Sequence, residues 1–129
     1  MNAIQVKPLI SVDGIPFGTP REEVRAACGG NYREFRKSRF SKNTTDDYGN
    51  FHVYYDGAGN MAAVEFFEGS TVEVRGTVVF PSDLRTASKV LKGLKDDGDG
   101  YLSTFESVCI SAPEGRMDSI LFGSKGYFG

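Results

Sequence analysis

One β-hairpin constrains the fold of this chain more than any other part of its sequence. Two β-rich stretches, 51–55 and 61–67, flank the turn DGAGN at 56–60. This turn is rich in residues that tolerate positive φ, and such a turn between two apolar runs predicts an antiparallel hairpin. In the first stretch, apolar and aromatic side chains alternate with His52 and Tyr54, so we expect one face of this strand to be buried.

Two segments carry helix signals. The first, 20–28, follows Thr19, whose hydroxyl is expected to cap the helix while Glu22 completes a capping box, and Gly29 is typical of a helix end. The second, 82–95, has apolar residues at helical spacing against a basic face. Its apolar stripe consists of Leu84, Ala87, Val90, Leu91 and Leu94.

The rest of the chain has mostly β character. Residues 72–80 are β-rich, with Gly76 marking a bulge or bend. Stretches 107–111 and 116–122 flank a Pro-Glu-Gly turn and predict a second hairpin. The polar run 41–50 has the composition of a mobile loop.

This order of elements predicts an α+β fold made of two helix-plus-antiparallel-hairpin units, with the helices packed on antiparallel sheet. A length of 129 residues fits one domain, 1–129. The pattern also suggests a tandem duplication of 11–69 and 70–128. The same order arises without a duplication, so both interpretations stay open.

Composition excludes several classes of function. A net charge of −2 and a pI near 5.4 give no general attraction to phosphate or anionic lipid, which argues against nucleic acid as the partner. No apolar run is long enough to span a bilayer. The start of the chain lacks signal-peptide features, so we expect a cytoplasmic protein, or an exported one if a leader was removed.

Cys28 and Cys109 are expected to be buried thiols, although an exported protein could pair them.

The segment Phe17-Gly18-Thr19-Pro20-Arg21-Glu22-Glu23-Val24, which closes at Gly29, resembles the helix start of the β-lactamase inhibitory protein family. It is also similar to the repeats of SmpA/OmlA-type outer-membrane lipoproteins. The resemblance covers about thirteen residues, and the second half of the chain lacks the motif. It implies a small sheet whose exposed face or loops bind another protein.

Residues 95–106 resemble the loop of a calcium-binding EF-hand. With Gly100 at the sixth position, Asp97 and Asp99 occupy ligand positions and Glu106 the bidentate twelfth. However, Lys95 stands at the first ligand position, and the segment after the loop is β-rich where an EF-hand has a helix. A solvated acidic turn is therefore preferred, and a degenerate calcium site remains the alternative.

Catalytic signals are weak. His52 is the only histidine, and neither cysteine lies in a nucleophile motif. No cofactor or metal motif stands out, so we expect a non-enzymatic protein without a cofactor. A small enzyme whose site no motif reveals is the remaining alternative.

The strongest candidate for a binding surface is the basic, aromatic segment 32–40 together with the loop at 46–48. Arginines on an extended strand repel one another, and a partner with acidic groups would relieve that repulsion while aromatic side chains anchor the contact. We therefore expect a module that binds another, acidic protein, with an inhibitor or immunity-type role as its narrower form. The candidate partner-binding residues are Tyr32, Arg33, Phe35, Arg36, Arg39, Phe40, Asp46, Asp47 and Tyr48.

Overall fold

The computed structural model describes residues 3–36, 38–39 and 43–129, and these residues form a mostly β structure. Strands account for 40% of it and helices for 12%. The predicted α+β fold of two helix-plus-antiparallel-hairpin units is therefore wrong. The hairpins do not remain separate units, because neighbouring strands pair into two continuous sheets and so satisfy backbone groups that isolated hairpins would leave open.

The described residues contain two helices and thirteen strands, named here in chain order. The helices are α1 (Arg21–Cys28) and α2 (Leu84–Val90). The strands are β1 (Ile4–Lys7), β2 (Ser11–Val12), β3 (Ile15–Pro16), β4 (Arg33–Phe35), β5 (Thr45–Asp47), β6 (Phe51–Tyr55), β7 (Met61–Phe66), β8 (Val72–Val74), β9 (Thr77–Phe80), β10 (Lys95–Asp96), β11 (Gly100–Ser103), β12 (Val108–Ser111) and β13 (Ser119–Gly123).

Eight strands form the large sheet, in the order β10-β11-β12-β13-β7-β6-β5-β4. All neighbours in it are antiparallel, and the central pair, β7 with β13, joins the two halves of the chain. The predicted hairpin of residues 51–67 is confirmed as β6 and β7, and the second predicted hairpin is confirmed as β12 and β13. The order helix then four-stranded meander occurs twice, while a duplication of 11–69 and 70–128 stays a prediction.

The remaining five strands form the small sheet, in the order β3-β2-β1-β8-β9. Its central pair, β1 with β8, is parallel, and the other pairs are antiparallel. The predicted β segment 72–80 is a hairpin in this sheet. Its strands turn at Arg75 and Gly76, which both have positive φ, of 51° and 82°.

Helix α1 occupies the predicted segment but begins differently. Pro20 is the N-cap residue, without a side-chain hydrogen bond, and the Thr19 hydroxyl donates instead to Pro16 O at 2.6 Å. The predicted capping box is therefore wrong. Gly29, at φ 95°, ends the helix as expected.

Helix α2 is shorter than the predicted 82–95. Asp83 caps it by accepting a hydrogen bond from Thr86 N at 2.7 Å. The helix ends at Val90, because Lys92 N donates to the Glu106 carboxylate rather than to a helical carbonyl. Neither helix in the described residues is long and apolar enough to span a bilayer.

Apolar residues from both sheets and both helices meet in one continuous core. Its fully buried aromatic side chains are Phe66, Phe80 and Phe122. Val24 is the fully buried residue of α1 and Ala87 that of α2, and Cys28, Leu84 and Val90 also pack against this core. The helices are thus fixed to the sheets mainly by single buried faces.

The predicted mobile loop 41–50 is wrong at residues 45–47, whereas the described residues on either side, 43–44 and 48–50, lie outside strands and helices. Residues 45–47 form β5, which pairs with β4 on one side and β6 on the other. Polar residues can occupy this strand because the buried Asp46 has a charged partner, described below. Composition alone does not reveal such a partner.

Gly100 is required by the packing of β11 against β12. A Cβ atom at this position would lie 1.8 Å from the carbonyl oxygen of Ile110, a backbone atom that cannot move aside.

We expect Gly100→Ala to lower the free energy of unfolding by about 3 kcal/mol or to prevent folding. Gly30→Ala is the matched control, because a Cβ there meets nothing within 4 Å. It should change stability by less than about 0.5 kcal/mol in urea unfolding. Equal stability of the two variants would contradict this packing.

Candidate binding surface

The alternation of strands β4 and β5 divides the predicted binding residues between two sides of the large sheet. The register pairs Arg33 with Asp47, Glu34 with Asp46, and Phe35 with Thr45. Successive side chains of a strand point to opposite faces. Arg33 and Asp47 therefore share the outer face, whereas Asp46 lies on the inner face toward α1.

On the inner face, Asp46 is fully buried and receives three hydrogen bonds. Arg25 of α1 donates to it twice, from Nε at 2.9 Å and from Nη2 at 2.8 Å. The Tyr55 hydroxyl donates the third, at 2.9 Å. These bonds raise the pKa of the Arg25 guanidinium well above its ordinary value, with Asp46 as the largest cause. Arg25 also pairs with the exposed carboxylate of Glu34 on the edge strand.

Aromatic rings extend this inner contact. The Arg25 guanidinium lies 4.3 Å from the centre of the Tyr32 ring, and Tyr32 packs against Tyr48 at 5.8 Å. Tyr48 in turn stacks on Phe51, with ring centres 4.7 Å apart. We call Arg25, Tyr32, Asp46, Tyr48 and Tyr55 the inner cluster. Three predicted binding residues, Tyr32, Asp46 and Tyr48, thus hold α1 to the sheet.

On the outer face, Arg33, Phe35, Asp47 and His52 form what we call the outer-edge surface. His52 Nε2 lies 3.3 Å from Asp47 Oδ1, and the rings of Phe35 and His52 meet edge to face at 5.3 Å. Together with Glu34 these residues line a recess of about 290 Å³. No sequence motif marks His52 as part of this surface, and it is the pairing of β5 with β6 that places it opposite Asp47.

From His52, the outer face of the large sheet continues across the strands toward the centre of the sheet. His52 stands opposite Glu65 of β7, which stands opposite Leu121 of β13. The Glu65 carboxylate accepts hydrogen bonds from Tyr54 at 2.5 Å and from Ser119 at 2.9 Å. Burial and the bond to Glu65 raise the pKa of Tyr54. This carboxylate is therefore engaged within the sheet.

The remaining predicted residues lie beyond the end of β4. Arg36 and Arg39 are exposed. Phe40 lies outside the described residues, as does Lys37 of the same basic segment. Of these two arginines, Arg36 directly follows Phe35 of the outer-edge surface in the chain.

The acidic loop that resembles a calcium site has another structure. Lys95 and Asp96 form β10, which pairs with β11 as a hairpin. Glu106 is buried, accepts a hydrogen bond from Lys92 N at 2.9 Å and forms an ion pair with both terminal nitrogens of Arg75. In the described residues, no group of three or more His, Cys, Asp or Glu side chains is placed to hold a metal. The calcium hypothesis gains no support from this geometry.

The histidine and the cysteines do not converge. Both thiols are unpaired: Cys28 lies on α1, and Cys109 lies on the outer face of β12. His52 is separated from Cys109 by three strand spacings, or about 14 Å. Burial raises the pKa of each thiol, which favours the unreactive protonated form.

None of the family models, curated proteins or solved structures compared with this chain matches it. The resemblance of residues 17–24 to the β-lactamase inhibitory protein family therefore stays a prediction.

Two tyrosines of the inner cluster allow a matched test. The Tyr55 hydroxyl donates to the Asp46 carboxylate, whereas the buried Tyr48 hydroxyl has no such charged partner and lies beside the Cys28 thiol, which is at most a weak hydrogen-bond partner. Burial raises the pKa of Tyr48 to about 12. Tyr55→Phe should lower the free energy of unfolding by about 2 kcal/mol, because a hydrogen bond to a buried carboxylate is lost. Tyr48→Phe should be neutral or stabilising by less than about 1 kcal/mol. Chemical denaturation at neutral pH measures both, and a larger loss in Tyr48→Phe would refute the assignment.

Proposed function

We propose that this chain is a non-enzymatic protein-binding module and that its outer-edge surface is the contact site. The observation that carries the proposal is the exposed ring of Phe35 on an edge strand, with Arg33 and His52 on the same face. An apolar anchor beside charged and aromatic groups is the usual composition of an interface centre.

The recess beside Phe35 gives this surface a shape that a partner can fill. Phe35 is 37% exposed, and few large apolar side chains in the described residues are as accessible. Its ring contacts His52, so part of it is already held in place. A side chain of the partner that enters the recess would cover both rings.

The charge of the segment favours an acidic partner. Arg33 is exposed beside the recess, and Arg36 and Arg39 are exposed beyond the strand. Asp47, the acidic member of the surface, lies beside His52 and accepts a hydrogen bond from Gly49 N at 2.7 Å. Carboxylates of a partner could therefore bind the arginines, which suit charge-assisted hydrogen bonds. The net charge of −2 argues against nucleic acid as that partner.

The inner cluster supports the proposal because it fixes the edge strand that carries the outer-edge surface. The edge strand is tied to α1 by the contacts of Arg25 with Glu34 and with Asp46 of the neighbouring strand. A surface that is fixed before binding loses less conformational entropy when the complex forms. An inhibitor or immunity-type role is the narrower form of the proposal, and the resemblance at residues 17–24 is its support.

Site-specific photocrosslinking tests this surface. We expect benzoylphenylalanine at position 35 to form a defined adduct with one protein in cells of the source organism. Position 105 is the matched control, since Phe105 is 69% exposed but lies near the opposite edge of the large sheet. The adduct from position 35 should disappear with Arg33→Glu or with Arg36→Glu plus Arg39→Glu, while stability changes by less than about 1 kcal/mol.

Two results would contradict the proposal. One is the same adduct from positions 35 and 105, which would indicate non-specific contact. The other is an undiminished adduct in the folded charge-reversal variants, which would show that the arginines serve only solvation.

A further inference from the structure

A cavity of about 220 Å³ lies between α1 and the two sheets, away from the outer-edge surface. Its walls are apolar and come from three directions. Val24 of α1 forms one side, Phe51 and Val64 of the large sheet form another, and Ile15 of the small sheet forms the third. Protein interiors are normally packed with few voids larger than a water molecule, so an apolar space of this size can receive a ligand.

The size of the cavity limits what it can hold. An engineered apolar cavity of about 150 Å³ in another protein binds benzene. A space of about 220 Å³ therefore accommodates one aromatic ring with a short substituent. The walls offer apolar contact but few polar partners, so the body of the ligand must be apolar.

The opening of the cavity carries a negative charge. Asp13 lines it and is exposed. The Asp13 carboxylate is held in place, because its Oδ1 accepts a hydrogen bond from Gln5 N at 3.0 Å, and Asp13 N donates to Gln5 O at 2.6 Å. Cys28 lies on the same wall, half-buried, and burial raises the pKa of its thiol, with smaller contributions from Asp46 and then Asp13. The Asp13 carboxylate is thus the fixed, exposed charge that lines this apolar cavity.

We propose that this cavity binds a small primary amine with an aromatic or similarly compact apolar body. The apolar body fills the space between α1 and the sheets, and the ammonium group binds the Asp13 carboxylate at the opening. A carboxylate ligand of the same shape is disfavoured there, because its charge would meet the like charge of Asp13. A neutral alcohol lacks the charge-assisted hydrogen bond.

Three ligands of one shape test the proposal: benzylamine, benzyl alcohol and benzoate. The measurement is the midpoint of thermal unfolding at millimolar ligand, together with the rate at which iodoacetamide labels Cys28 in a Cys109→Ser background. We expect benzylamine to raise the midpoint and slow the labelling of Cys28. Its apparent affinity should exceed that of benzyl alcohol about tenfold and that of benzoate by more, as one charge-assisted bond allows.

Two variants separate the charge from the cavity. Asp13→Asn keeps the oxygen that accepts from Gln5 N and tolerates the positive φ of 49°, so the chain should fold and only the preference for the amine should vanish. Ala27→Phe places a ring at the opening from an exposed position on α1, and it should abolish the thermal shift with each ligand.

The proposal is overturned if benzylamine changes neither readout in the parent protein. It is equally overturned if benzoate binds as well as benzylamine, or if folded Asp13→Asn retains the preference for the amine. An unchanged thermal shift in folded Ala27→Phe would place the ligand elsewhere and would also overturn it.

Discussion

The ion pair between buried Asp46 and partly buried Arg25 is the interaction on which the organisation of the β4–β5 edge of the large sheet depends. Asp46 has no exposed surface, and a carboxylate in that position is strongly unfavourable unless it is paired and hydrogen-bonded. Arg25 and the Tyr55 hydroxyl provide three hydrogen bonds to it. Helix α1 and strands β5 and β6 therefore have to come together for the Asp46 carboxylate to be buried with its hydrogen bonds made.

This pair also fixes which residues of the edge face outward. Shifting β5 by one residue would turn Asp46 to solvent and bring Asp47 to the interior. Because Asp46 must meet Arg25, Asp47 stays on the outer face with His52 and Arg33. The outer-edge surface is thus a consequence of the inner contact. Strand β5 binds α1 through Asp46 and contributes Asp47 to the outer-edge surface.

The sequence predicts those parts of the fold that depend on local signals. The hairpin of β6 and β7 has a turn of fitting composition, and α1 ends at a glycine with positive φ, as expected. The assembly of the strands into two sheets depends on pairing between distant segments, such as β7 with β13, and no local pattern encodes it. The predicted fold class failed for this reason.

The candidate site likewise combines residues that local sequence signals reveal with residues whose placement depends on distant contacts. Exposed Arg33 and Phe35 could be recognised as a basic aromatic strand, whereas the burial of Asp46 depends on Arg25, which lies 21 residues away. The loop with calcium-site spacing shows the converse error. Its glycine, Gly100, is needed for close strand packing, and its glutamate, Glu106, pairs with Arg75 from a different hairpin.

A double-mutant cycle between Arg25 and Asp46 tests this account most directly. Arg25→Met keeps the apolar stem of the side chain, and Asp46→Asn keeps the shape of the carboxylate, so together they remove the ionic contact with little change in packing. The account predicts a coupling energy of about 2 kcal/mol in the free energy of unfolding. Additive effects, with a coupling below about 0.5 kcal/mol, would contradict the claim that this pair organises the edge.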